Sequence, residues 1–99
     1  MTKIEPNDSV IIVLHSPREK MWGMLQEINS AGIYIRCLDL NAFEDYVRAI
    51  VRHEPFIGLS NQFFPLWRVE RVTLDESSGE IPSLTAQFER RTGQSVFDF

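Results

Sequence analysis

The residue types able to carry out chemistry are few in this chain, and they stand far apart. Cys37, His15 and His53 are its only thiol and imidazoles. A zinc site needs ligands grouped at short spacings, and an activated cysteine needs a base within reach. Neither spacing is present. Cys37 alternates with Ile33 and Ile35, as a small buried apolar residue does. Each histidine falls at the end of an element, where a solvent-exposed or capping role is expected. The acids pair as Glu44-Asp45 and Asp75-Glu76. Acid–base work needs carboxyls held in a pocket that shifts their pKa values, but the first pair opens a helix and the second lies in a loop. There is no phosphate-cradling glycine loop. Nucleophile, base and stabiliser are all missing, so no enzyme, metal or cofactor is expected.

Groups suited to binding are more frequent. Asn29 could read a base edge through its amide, or serve as a turn residue beside glycine. Trp67, Arg68 and Arg71 could form a stacking and cationic surface for single-stranded nucleic acid. Alternatively, Trp67 anchors a subunit interface together with Phe63, Phe64, Leu66 and Val69, because an edge strand needs a partner. Arg90 and Arg91 suit the negative end of a helix dipole.

The elements that must position these groups follow from periodicity. Residues 1–8 form a lead-in loop. Residues 9–15 are a β-branched run without alternation, the mark of a short strand buried on both faces. Ser16-Pro17 begins a turn. Residues 19–29 form a second strand in which Gly23 allows close approach and sharp bending. Gly32 is free to take positive φ in the next turn. In residues 33–39, Ile33, Ile35 and Cys37 share one face, and Tyr34, Arg36 and Leu38 share the other.

The period then changes. Asn41 and Glu44 read as a capping box, and Phe43, Tyr46, Val47, Ile50 and Val51 make a helical stripe over residues 42–53, which Pro55 stops. Residues 62–74 return to strand character, with Pro65 marking an edge or a break between two short strands. Ser83 caps a second helix over residues 83–92, Leu84 and Phe88 pair on it, and Gly93 ends it. The apolar tail, residues 96–99, is expected to dock.

Size and composition bound the rest. A chain of 99 residues makes one domain with a modest core, which oligomerisation would help stabilise. A hydrophobic share of 43% and a charged share of 24% are ordinary for a soluble globular protein. The net charge of −4 weighs against tight, sequence-independent binding to phosphates. One cysteine excludes an internal disulfide, and residues 1–6 lack a signal-peptide core, so the expectation is cytoplasmic.

Two stretches carry a family resemblance. Gly23 followed by Leu25, Ile28 and Asn29 is similar to the first motif of the Sm-like family, which includes the bacterial RNA chaperones. The run from Phe64 through Pro65-Leu66-Trp67-Arg68 to Val69 and Val72 resembles its second motif. The match covers roughly residues 9–39 and 62–74. The base-binding places depart from the family: Ala31, Gly32 and Ile33 follow Asn29, and Pro65, Leu66 and Trp67 stand where Arg-Gly or Lys-His would be.

The resemblance implies a mainly β fold, a five-stranded bent SH3-like barrel, here with an inserted helix and a C-terminal helix. It also implies a homo-oligomeric ring in which the strand near Phe63 pairs with the one near Val69 of a neighbour, and RNA as ligand. The alternative is a protein-interaction or scaffold module on the same barrel that does not bind nucleic acid.

Overall fold

The structure is a computed structural model that describes residues 3–99. It is mainly β, as expected, with five strands in one sheet and two α-helices. The strands are β1 (Ser9–Leu14), β2 (Glu19–Ile28), β3 (Gly32–Asp39), β4 (Ser60–Pro65) and β5 (Val69–Leu74). Helix α1 (Phe43–Arg52) lies between β3 and β4, and α2 (Leu84–Thr92) follows β5. The sheet order is β4-β3-β2-β1-β5, every neighbouring pair is antiparallel, and β4 and β5 are not bonded to each other. The sheet is therefore open along two edges.

Alternation puts Val10, Ile12 and Leu14 of β1, Met21 and Leu25 of β2, and Ile33, Ile35 and Cys37 of β3 on one face. Phe64 joins them from β4, and Val69, Val72 and Leu74 of β5 pack at the margin. The expectation for β3 holds residue by residue. Burial also pushes the Cys37 thiol up to about 12, so it stays a neutral apolar group.

The opposite face belongs to the helices. Trp22, Met24 and Leu38 meet Phe43, Tyr46 and Val47 of α1, Phe88 of α2, and Val96 of the docked tail. Trp22 is fully buried, edge-on to Phe43 at 5.1 Å and 6.0 Å from Phe88.

Local signals moved in two places. Asp39, not Asn41, accepts from the Asn41 amide and caps a 3₁₀ turn (Leu40–Ala42) that leads into α1. Val51 is exposed, whereas Ala49 is buried, so the apolar stripe sits slightly round the helix from the expected one. Gly32 takes a positive φ of 159°, as expected, and it also needs room, since a Cβ would strike the Phe64 carbonyl. Ser83 and Gly93 cap and end α2 as their types predict.

Asp75 fastens α2 to the sheet. One carboxylate oxygen accepts from the Leu84 amide at 2.8 Å, and the other from the Thr85 amide at 2.9 Å and the Ser9 hydroxyl at 2.8 Å. The Thr85 hydroxyl and Trp22 Nε1 reach the second oxygen too, at 2.9 and 3.2 Å. Partial burial alone would raise the carboxyl. The bonds from Thr85, Leu84 and Ser9 outweigh it and hold the group below its ordinary value.

Two predictions follow from these contacts. Gly23→Ala would place a Cβ against the Arg36 carbonyl and the Cys37 backbone. It is expected to cost about 3 kcal/mol or more, read as a lowered urea midpoint. For Asp75, a lowered folded pKa means that its contribution is complete above its unfolded pKa of about 3.9 and fades as pH falls through the folded value. Asp75→Asn should therefore lose about 1.5–3 kcal/mol at neutral pH. It should also show a shallower loss of stability than the parent during acid titration followed by circular dichroism.

Candidate binding surface

Pro65 ends β4, and its fixed φ of −59° leads directly into a single 3₁₀ turn, Leu66–Arg68, closed by the Val69 amide on the Leu66 carbonyl. This turn ties the strand ends together. The Leu66 amide donates to Ala31 in the β2–β3 turn at 3.0 Å, and His15 after β1 donates to the Arg68 carbonyl at 2.9 Å. The turn that holds Trp67 therefore joins the β2–β3 turn, with Asn29, to the β1–β2 turn, with His15, into one rim, although those two turns lie at opposite ends of β2.

The candidate residues divide at this rim. Trp67 is 64% exposed and stands edge-on to His15, with ring centres 6.3 Å apart. Arg68 points back into the protein. It bonds the His15 carbonyl at 3.2 Å, the Pro17 carbonyl at 2.9 Å and Glu19 at 3.2 Å. Asn29 is likewise engaged: its side-chain oxygen accepts from the Ala31 and Gly32 amides, and its nitrogen donates to Glu27. Arg71 lies exposed on β5, with no ion pair among the described residues. Leu66 is exposed, Phe64 is in the core, and Val69 is half-buried against it.

Phe63 stands apart from its neighbours. It is 42% exposed, and its ring rests 4.7 Å from that of Tyr34, its partner across β3. Tyr34 was legible as belonging to the outer face of β3, but nothing in the sequence marked it as half of an exposed aromatic pair.

The backbone at both edges can be accounted for. Because Leu66 bonds Ala31, strand alternation turns the amides of Phe64 and Gln62 towards β3 and those of Phe63 and Asn61 outwards. Pro65 occupies an outward place, where a missing N–H costs the ladder nothing. On β5 the bond from Asp75 to the Ser9 carbonyl sets the same alternation, leaving the amides of Val72 and Leu74 outwards. Among the described residues, no three His, Cys, Asp or Glu side chains converge as metal ligands would, and no helix is long and apolar enough to cross a membrane.

No family model, curated protein or solved structure gives a significant match to this chain.

The two turn residues should respond differently to truncation. Trp67→Ala is expected to change stability by less than about 1 kcal/mol, because the ring is mostly in solvent. Arg68→Ala removes three bonds at the turn and should cost about 1.5–3 kcal/mol. Parallel denaturation curves of the two variants check the order.

Proposed function

We propose that this protein is a non-catalytic binding protein that assembles with copies of itself into a ring, in the manner of Sm-like proteins. The β4 edge of one copy adds to the β5 edge of the next. The observation that carries this reading is the pair of free edges, each with outward amides at alternate residues. An open edge is a template for pairing, and a chain whose two edges complement each other can satisfy both by adding copies head to tail. Rolling of the sheet into a bent, SH3-like barrel belongs to the same proposal.

Side-chain alternation specifies what such a joint would bury. Directly opposed residues in an antiparallel pair share a face of the sheet. The outward residues Asn61 and Phe63 carry their side chains on the helix-side face, beside Tyr34, and the outward residues Val72 and Leu74 carry theirs on the core side. In an antiparallel joint, Val72 and Leu74 of the next copy come alongside Phe63. The aromatic pair would then leave water, and burying one such ring is worth about 1.5–3 kcal/mol.

The ligand reading rests on the rim. Repeated around a ring, Trp67 with His15 offers shallow stacking sites whose weak contacts add through avidity. The resemblance to the Sm-like family implies single-stranded RNA as the ligand. A second reading, a scaffold that binds protein through the same rim, is favoured by the engagement of Asn29 and Arg68 within the fold.

The assembly is tested by light scattering or native mass spectrometry. The parent chain is expected to give one closed oligomer. Phe63→Glu should give a folded monomer, because that side chain sits outside the core. A parent chain that stays monomeric at high concentration overturns the ring. Titration with a short labelled oligouridylate then separates the ligand readings. RNA binding requires an affinity that falls with added salt and is lost in Trp67→Ala, whereas no binding at low salt leaves the scaffold.

A further inference from the structure

A cleft of about 380 Å³ lies on the helix side, away from the rim. Its walls come from β3, the end of α1, the loop before β4 and the docked tail. Tyr46 is the central wall, with the Phe56 ring 6.0 Å away and the Phe99 ring 6.1 Å away and nearly perpendicular. Gly58 makes this wall possible, since a Cβ there would strike the Tyr46 ring. The volume falls at the small end of the range of about 300–1,000 Å³ common to ligand sites.

Two opposite charges line this aromatic slot from different sides. Arg36 enters from the sheet. Its Nε donates to the main-chain oxygen of Phe99 at 2.9 Å and its Nη1 to Asn61 at 3.3 Å. These bonds orient the guanidinium, and its Nη2 makes no hydrogen bond among the described residues. Glu54 enters from the loop. Its amide is bonded to Ala49, while its carboxylate forms no ion pair among the described residues. An oriented cation, a separate anion and aromatic rings match an ammonium carboxylate with an apolar body.

We infer that this cleft is a binding site for a small zwitterion of the apolar α-amino-acid class. The carboxylate takes the open side of Arg36, the ammonium takes Glu54, and the side chain lies against Tyr46, Phe56 and Phe99. This inference does not rest on the ring or the rim: Arg36, Glu54, Tyr46, Phe56 and Phe99 belong to neither, and only Asn61, which helps to hold Arg36, lies on the β4 edge.

The test is calorimetric titration of the full chain with L-phenylalanine, 3-phenylpropionate and phenethylamine, the last two each lacking one charge. L-phenylalanine is expected to bind saturably, with each truncated probe at least about tenfold weaker. Glu54→Gln removes only an exposed charge and should weaken L-phenylalanine about tenfold while leaving 3-phenylpropionate unchanged. Arg36→Gln should abolish binding of both carboxylates; its circular dichroism spectrum confirms that the fold is kept. Failure to saturate below about 10 mM, equal binding of the three probes, or L-phenylalanine binding unaltered in Glu54→Gln overturns the inference.

Discussion

The short connection between β4 and β5 constrains everything else in the molecule. These strands lie at opposite ends of the sheet order, yet only the three residues Leu66–Arg68 separate them. In a flat sheet, edge strands four steps apart would stand about 19 Å from each other. A 3₁₀ turn advances only about 2 Å per residue. The end of β4 and the start of β5 also lie at opposite ends of the strands, so the sheet must curl until these diagonal corners meet. The turn's bonds to Ala31 and His15 hold the curl, and Gly23 lets β2 and β3 come close enough to allow it. The same curl gathers residues of all five strands into one core, which a flat sheet of this size could not enclose.

Curling leaves the two faces with unlike fates. The inner face is filled by the strands themselves. The outer face needs a cover, and α1, α2 and the tail supply one over Trp22, Met24 and Leu38, with Ile11 at its margin. Asp75 is central to this cover because it joins the end of β5 to the start of α2 and to Trp22. The cover stops short of Tyr34 and Phe63, which remain exposed at the β4 edge. Bare backbone and bare aromatic surface thus occur together, and one added strand would satisfy both.

Most of the fold was legible because it is written locally. Alternation in β3, the proline break before Leu66, the Ser83 cap and the Gly93 stop each depend on a few adjacent residues. What escaped depends on distant partners. Arg68 has the chemistry of a ligand contact, but carbonyls brought near by folding occupy it, whereas Asn29 bonds the Ala31 and Gly32 amides beside it, the turn role that its position offered. Asp75 read as a loop acid because Ser9, Trp22 and Thr85 are remote in sequence. The slot around Tyr46 was hidden for the same reason: Arg36, Glu54 and Phe99 belong to three separate segments. Trp67, by contrast, was marked by its position in the turn, and its side chain is exposed there.

Charge completes the argument about how such a chain could bind anything tightly. With 10 basic and 14 acidic residues, the chain as a whole repels an anion. One rim offers a tryptophan and an exposed histidine, which is little for a single encounter. Affinity at that rim would then have to come from repetition, since linked weak sites raise the effective concentration of each for the next. A monomer with this surface would bind poorly, whereas a closed array of the same surface would not. In the proposed ring, the open edges would repeat the sparse rim, and the backbone left unpaired by the curl would supply what the side chains of one copy do not.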